Sequence, residues 1–326
     1  MQWRLEGAGE ALRSSIPWVA LMAALVLTAA GWIGLERARH DEAQRQFERR
    51  TETAEGAVRT RMLSYEQILR AGAARIGSSG STSRNEWRDF IAHLRLEERF
   101  PGIQSVGFAE RVKPAERAAH MKRLRADGFP GYEIRPAGER GEYFPIVFNE
   151  PFVGRNTRVI GFDIFSEPTR RAAMERARDT ADAGITGKLI LAGEPFRGAQ
   201  APQAGFVMYV PVYRGQAASL GRDERGNALA GFVFSPFRMH DLMRGILDEG
   251  VLQMLDMRIF DEAAATPDSE LIDTRTAWRA APPAASTPAF SRRSSLQMPG
   301  RAWVILFTSR PEFDSSLQDS DRKSVV

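Results

Sequence analysis

The feature that most constrains this chain is an uncharged apolar segment of twenty residues near its amino end. Residues Ile16 to Leu35 contain no Asp, Glu, Lys or Arg. At about 1.5 Å per residue, a helix of this length spans roughly 30 Å, the thickness of a bilayer core. Trp18 and Trp32 lie close to its two ends, where interfacial aromatic side chains are common. The segment therefore predicts one transmembrane helix over residues 16–35.

A cleaved signal peptide is the alternative interpretation of this segment. Thr28-Ala29-Ala30 would suit a small-residue cleavage site. The apolar run is longer than the hydrophobic region of most signal peptides, however, and a helical pattern continues after it, so a membrane anchor is favoured. Positive residues are fewer before the segment than after it, and a bare count would place the long C-terminal part inside the cell. Long domains cross largely regardless of charge, so this count is weak evidence.

The rest of the chain predicts an α+β fold with two small antiparallel sheets, each with helices to one side. We expect a cytoplasmic N-terminus (1–15), the transmembrane helix (16–35), a long stalk helix (36–84), a first sheet unit (85–240), a second, smaller one (241–310) and a polar tail (311–326). Pairs of acidic and basic residues along Arg170 to Arg178 predict a solvated helix face held by i,i+4 pairs. The Ala/Pro-rich stretch Ala280 to Pro288 predicts an exposed loop.

Local patterns in the first unit predict further elements. They are a helix over Arg84 to Glu98, strands at Tyr132 to Ile134, Gly205 to Tyr213 and Ala230 to Pro236, and a loop over Arg214 to Asn227.

Composition and motifs argue against several classes of function. The 326 residues include no cysteine, which excludes disulfides, thiolate metal sites and cysteine nucleophiles. The formal charge of +4 comes from arginines that alternate with acidic residues, so no basic stripe for nucleic acid forms. The four histidines have no metal-ligand spacing, and hydrolase, P-loop, dinucleotide-binding and cyclase motifs do not occur. We therefore expect no enzyme activity, no cofactor and no metal.

A series of motifs in the middle of the chain resembles a known family. It runs from FPGIQSVGF at Phe100 to Phe108, through the arginine-rich stretch Arg170 to Thr180 and Ile185-Thr186-Gly187, to GFVMYVPVY at Gly205 to Tyr213. In this order the motifs resemble the CHASE domain, the extracellular sensory module of many histidine kinases, diguanylate cyclases and adenylate cyclases and of plant cytokinin receptors.

The resemblance implies a long helix followed by two PAS-like units in tandem. The membrane-distal unit would hold a small ligand, and the membrane-proximal unit would pass strain towards the membrane. By position, Glu150 or Asp163 would supply the acidic group of the pocket, Thr186 its threonine and Tyr209 part of its wall. A pocket for a small polar ligand also needs apolar lining and a few polar groups. The predicted ligand-binding residues are therefore Tyr143, Phe144, Glu150, Asn156, Asp163, Thr186 and Tyr209, with Phe148 and Phe152 as further lining.

Two structural roles compete with ligand contact at these positions. Gly161 and Pro151 would shape turns, and Asp163 would cap the helix that follows it or pair with an arginine. The sequence leaves these alternatives open for each polar residue.

Taken together, the sequence predicts a single-pass sensor in the cell inner membrane, with residues 36–326 in the periplasm or extracytoplasmic space. It would bind an unknown small molecule, form a homodimer through the long helix and bind no nucleic acid. No second apolar run follows the sheets, so the kinase or cyclase output domain is expected to be separate or missing. The alternative is a membrane-anchored protein-interaction module with the same fold and no small ligand.

Overall fold

The computed structural model describes residues 6–79, 82–100, 102–191, 203–215, 221–262, 264–278 and 287–313. Most of the predicted loop at Ala280 to Pro288 and of the predicted tail at 311–326 lies outside these ranges. Within them, the predicted α+β class is confirmed: one long helix is followed by two antiparallel sheets.

The first helix, α1 (Glu6–Ser79), is 74 residues long and unbroken. Its described residues from Ala20 to Glu42 are all exposed, and it is the one described helix that is long and apolar enough to cross a membrane. Beyond Ala43 one stripe of the helix is buried at helical spacing. The members of this stripe are Phe47, Ala54, Val58, Met62, Tyr65 and Leu69. The same helix therefore presents a fully exposed apolar half and an amphipathic half that packs on the sheets.

The first sheet contains six strands in the order β2-β1-β6-β5-β3, with β4 also paired to β5. All of its pairings are antiparallel. Its strands are β1 (Val106–Glu110), β2 (Ile146–Glu150), β3 (Gly184–Ile185), β4 (Leu189–Ile190), β5 (Ala204–Tyr213) and β6 (Leu229–Arg238). Its helices are α2 (Arg84–Leu94), α3 (Leu96–Arg99), α4 (Arg117–Ala126), α5 (Pro168–Thr180) and α6 (Arg222–Ala228).

The second sheet contains four antiparallel strands in the order β8-β7-β10-β9. Its strands are β7 (Leu255–Phe260), β8 (Glu270–Asp273), β9 (Ser291–Met298) and β10 (Arg301–Ser309), and its helices are α7 (Met239–Ile246), α8 (Glu249–Met254) and α9 (Thr274–Ala277). Phe290 stacks on Phe47 of α1 with ring centroids 5.8 Å apart. One continuous hydrophobic core therefore joins α1 to both sheets.

Three local predictions differ from the structure. The helix predicted over Arg84 to Glu98 breaks at Arg95, whose positive φ of 51° ends α2 and starts α3. The strand predicted at Tyr132 to Ile134 is irregular chain, anchored because the Tyr132 hydroxyl bonds to His120. The loop predicted over Arg214 to Asn227 contains α6, which begins where the Glu224 carboxylate accepts the Gly221 N–H at 3.2 Å.

Candidate functional site

A small cavity lies on the face of the first sheet that points away from α1. Val233 of β6 is on the α1 side, because a Cβ on Gly72 of α1 would lie 3.3 Å from its Cγ1. The next residue, Phe234, faces the opposite way and lines the cavity. Its ring lies over Gly107 of β1, where a Cβ would be 2.5 Å from the ring. A glycine is therefore required here for the ring to form the floor of the cavity.

The cavity measures about 40 Å³. A water molecule needs roughly 10–15 Å³ of such volume, so there is room for more than one. Its apolar lining comes from strands and from the turns around them: Ile146, Val159, Phe162, Leu191, Val207, Phe234 and Pro236. A dry apolar floor of this kind strengthens any polar contact made above it.

Two buried polar atoms of the lining have no hydrogen-bond partner among the described residues. These are Asn149 Oδ1 and Ser105 Oγ, on residues that are 3% and 1% exposed. The orientation of the Asn149 amide is fixed, because its Nδ2 donates to the Asn156 carbonyl at 3.0 Å. Asn156 is held in turn, since its Nδ2 donates to the carbonyls of Gln104 and Pro151. Leaving buried acceptors unpaired costs free energy, so a water molecule or a ligand in the cavity is expected to pair with them.

A buried arginine, Arg170, also lines the cavity and is only 6% exposed. It follows the start of α5, where the Glu167 carboxylate accepts the backbone N–H groups of Thr169 and Arg170 at 2.9 Å each. Its side chain makes one hydrogen bond among the described residues, from Nη1 to the Tyr209 hydroxyl at 3.4 Å, and its guanidinium lies 5.8 Å from the centre of the Phe162 ring. Burial raises the pKa of Tyr209, so this hydroxyl keeps its proton.

The cavity adjoins an open depression of about 450 Å³, with which it shares Val159, Phe162 and Arg170. We call this depression the vestibule; its charged lining residues are Arg135, Arg158, Glu167 and Arg170. Arg135 is fixed there, because its Nη2 donates to the carbonyls of Arg158 and Ile160 at 3.0 and 2.8 Å. Three arginines against one glutamate make the vestibule positive.

Of the seven predicted ligand-binding residues, one lines this cavity and two more lie next to its lining. Asn156 lines it, and Tyr209 contacts it through Arg170. Thr186 lies behind it: its hydroxyl oxygen accepts the Val207 N–H at 3.0 Å and so holds the strand whose Val207 side chain forms the wall.

The other four predicted residues lie elsewhere. Glu150 is on the outer side of β2, where Oε2 accepts the Phe152 N–H at 2.8 Å and Oε1 lies 3.7 Å from Arg88 Nε. Phe152 and Glu150 line an open surface groove there instead of the cavity.

Tyr143, Phe144 and Asp163 form a separate buried group. The Tyr143 hydroxyl donates to the Gly138 carbonyl. Asp163 Oδ1 accepts the N–H groups of Phe144 and Phe165 at 2.9 and 3.2 Å, and Oδ2 lies 3.3 Å from Arg140 Nη1. Burial raises the pKa of Asp163. The contact with Arg140 matches the predicted pairing with an arginine. The predicted helix cap is wrong, because Glu167 caps α5 and Asp163 caps only the short turn Ile164–Ser166.

The sequence interpretation missed Arg170, Asn149 and Ser105. The expectation that Arg170 to Arg178 is a solvated face is wrong at Arg170, because that residue is buried with Ala173, Met174 and Ala177. The spacing i, i+3, i+4 and i+7 was the signal: it places Arg170 on the apolar stripe of α5. Asn149 and Ser105 carried no comparable signal, since their unpaired atoms depend on tertiary contacts.

A cavity with polar lining on a sheet that packs on a long helix is the arrangement expected of a ligand-binding domain. Comparison with protein families agrees with this class. The family described as the CHASE domain matches residues 80–272. The match covers more than half of the chain, and the chain belongs to this family, whose members are extracellular sensors. No curated protein matches the chain significantly.

Among solved structures, the chain is similar to the ligand-binding domain of the amino acid chemoreceptor PctC of Pseudomonas aeruginosa PAO1, determined in complex with GABA. The two share 13% sequence identity with a TM-score of 0.44, and the similarity covers 82% of this chain and all of that domain.

Proposed function

We propose that this chain is a membrane-anchored extracytoplasmic sensor that binds a small molecule in the cavity of its first sheet unit. The observation that carries the proposal is the pair of unpartnered buried atoms, Asn149 Oδ1 and Ser105 Oγ, on two residues that line the same cavity as the buried Arg170. A core in which apolar side chains filled this space would leave these groups desolvated and unpaired. This feature favours the sensor over the interaction module with no ligand.

Membrane anchoring is part of this proposal. The exposed apolar side chains of α1 before residue 36 would lie in the bilayer, and the two sheet units, over residues 85–240 and 241–310, would lie outside the cytoplasm. The large side chains of this segment are Trp18, Leu21, Met22, Leu25, Val26, Leu27, Trp32, Ile33 and Leu35. A homodimer through α1 remains a prediction of the sequence.

The proposed ligand contacts are Arg170, Tyr209, Asn149, Asn156 and Ser105, with Thr186 as a positioning residue for Val207. Ligand contact by Tyr143, Phe144, Glu150 and Asp163 remains a prediction. The polar atoms of these four are engaged with the main chain or with an arginine as described above.

A signal would pass to the second sheet through the segment that follows β3. The Ile185 N–H donates to the Pro299 carbonyl at 3.1 Å, and the Lys188 N–H donates to Asp261 Oδ2 at 2.8 Å. Thr186 lies between these two contacts and is bonded to Val207 of the cavity wall. A ligand shifts the equilibrium between two conformations only through its different affinities for them. These contacts would therefore transmit a signal if the ligand favours a conformation in which Val207 has moved.

The test is thermal melting of the detergent-solubilised full chain against a library of small metabolites. A ligand at about 100 times its Kd adds roughly 2.7 kcal/mol to the free energy of unfolding, a shift of several degrees. Tyr209→Phe should weaken a hit about 2- to 10-fold, since it removes the hydroxyl that holds Arg170. Tyr213→Phe is the control: it is on the same strand, but its hydroxyl donates to the Arg178 carbonyl. Compounds whose affinity is unchanged by Tyr209→Phe would contradict the proposal. A folded chain that no compound stabilises would also contradict it.

A further inference from the structure

We propose that the ligand of this cavity is a small organic carboxylate that also carries a hydroxyl group. Its carboxylate would bind the Arg170 guanidinium, and its hydroxyl would donate to Asn149 Oδ1 next to Ser105. The inference rests on the proposed function and adds the chemical class of the ligand.

The Arg170 guanidinium has few hydrogen-bond acceptors among the described residues. A buried guanidinium needs a counter-charge or a full set of acceptors. The nearest carboxylate is that of Glu167, 3.9 Å from Arg170 Nε, and its two oxygens already accept backbone N–H groups. The described lining residues of the cavity include no Asp or Glu. A ligand carboxylate would therefore supply the acceptors that Arg170 lacks among the described residues, with the paired geometry that arginine favours.

Hydrogen-bond donors and acceptors lie on opposite sides of the cavity. Asn149 is on β2 and Tyr209 on β5, three strand spacings apart, or about 14 Å between main chains. Their sides of the cavity differ in character: Arg170 donates on the β5 side, whereas Asn149 Oδ1 can only accept on the β2 side. A ligand with an acceptor at one end and a donor at the other matches the hydrogen-bonding character of both sides.

The donor is assigned as a hydroxyl because no acidic side chain faces it. An ammonium group buried beside Asn149 Oδ1 and Ser105 Oγ would find no carboxylate among the described residues of the lining, whose charged members are Arg155 and Arg170. A hydroxyl needs no counter-charge, and one acceptor satisfies its proton. A ligand with one carboxylate and a neutral hydroxyl in place of an ammonium group is an anion overall.

The charge of the vestibule also favours an anion. An anion that approaches the cavity passes Arg135 and Arg158, with Glu167 the one acidic residue described there. Positive potential at the mouth of a cleft raises the local concentration of anions and their association rate. The electrostatics of the entrance and of the cavity therefore select the same charge.

The test measures melting of the full chain in detergent with glycolate, lactate and malate. The comparison compounds are the neutral lactamide and inorganic phosphate, all at matched ionic strength. At least one hydroxycarboxylate should stabilise the chain, while lactamide and phosphate should not. Arg170→Gln should weaken that binding by about tenfold to a hundredfold, since it removes a charge-assisted contact. Arg171→Gln is the matched control: it removes the same charge from the next residue of α5, whose Nε donates to the Phe165 carbonyl outside the cavity.

Three results would overturn the inference. The first is stabilisation by lactamide or phosphate equal to that by the acids. The second is binding of an acid whose affinity Arg170→Gln leaves unchanged. The third is no stabilisation by any of the three acids at about 10 mM, a concentration that would detect a binding free energy of about −2.7 kcal/mol. If library compounds of another class bind and Tyr209→Phe weakens them, the sensor stands and the carboxylate assignment alone fails.

Discussion

Asp261 and Arg301 form a bidentate ion pair at the junction of the two sheets. Arg301 Nε and Nη2 donate to the two carboxylate oxygens of Asp261 at 2.7 and 2.8 Å. The same carboxylate accepts the backbone N–H of Lys188 at 2.8 Å. Lys188 follows Thr186 and belongs to the first sheet unit, whereas Asp261 and Arg301 belong to the second. One buried carboxylate therefore joins the segment behind the cavity wall to the second sheet unit.

Removing this carboxylate should destabilise the chain. Asp261→Ala leaves the Lys188 N–H and the Arg301 guanidinium without their acceptor, which costs about 2–4 kcal/mol. Denaturant unfolding of the full chain measures the loss. The control is Glu262→Ala, because Glu262 is exposed and lies 3.9 Å from the same arginine; it should change the free energy of unfolding by less than about 0.5 kcal/mol. Equal losses from the two variants would contradict a linking role for Asp261.

Gly107→Ala should disturb the floor of the cavity. The new Cβ would lie 2.5 Å from the Phe234 ring and 2.8 Å from the Phe148 carbonyl, so the ring must move. We expect a loss of about 1–3 kcal/mol in the free energy of unfolding and weaker ligand binding. Gly131→Ala is the control, since no atom lies within 4 Å of its new Cβ. A Gly107→Ala chain as stable as the Gly131→Ala chain would show that Phe234 does not depend on this glycine.

The buried carboxyl of Asp163 should make stability depend on pH. Its pKa in the folded chain is raised by burial, so the folded state keeps this proton at pH values where the unfolded chain has lost it. The contribution to stability is complete below the ordinary value of 3.8 and is lost as pH rises through the raised pKa. Relative to Asp163→Asn, the free energy of unfolding of the wild type should fall from pH 4 to pH 7. A constant difference across this range would refute the raised pKa.

The orientation of the chain can be tested with single cysteines, because the sequence contains none. Val153 is 62% exposed in the first sheet unit, so Val153→Cys should react with a membrane-impermeant maleimide added to intact spheroplasts. Ser14→Cys, in the predicted cytoplasmic end, should react only after lysis. Labelling with the opposite pattern would place the sheets in the cytoplasm.

The sequence predicted the elements that depend on local periodicity. The stripe that includes Phe47, Val58 and Leu69 predicted α1, and its buried residues match that stripe. Richness in Phe, Val and Tyr predicted the long strands β5 and β6 to within two residues at each end. The motif series from Phe100 to Tyr213 predicted the family, which is confirmed.

The composition of the cavity could not be predicted in the same way. Motif position indicated Thr186 and Tyr209, but hydrogen bonds direct Thr186 to the main chain and Tyr209 to Arg170. Asn149 faces the cavity because it pairs with Gly107 across β1 and β2, a register that no local pattern reveals. The charged groups of a site depend on which side chains meet from distant segments, whereas periodicity reports only which face of an element is buried.

The most direct test of ligand sensing in this cavity is titration calorimetry of a confirmed hit against the wild type and Ser105→Val. The substitution replaces an unpartnered buried hydroxyl by a methyl group and adds a second, so it narrows the cavity without removing a hydrogen bond among the described residues. We expect Ser105→Val to keep or raise the melting temperature while it abolishes detectable binding. Unchanged affinity in a chain with this filled cavity would contradict the account, because the ligand would then bind elsewhere.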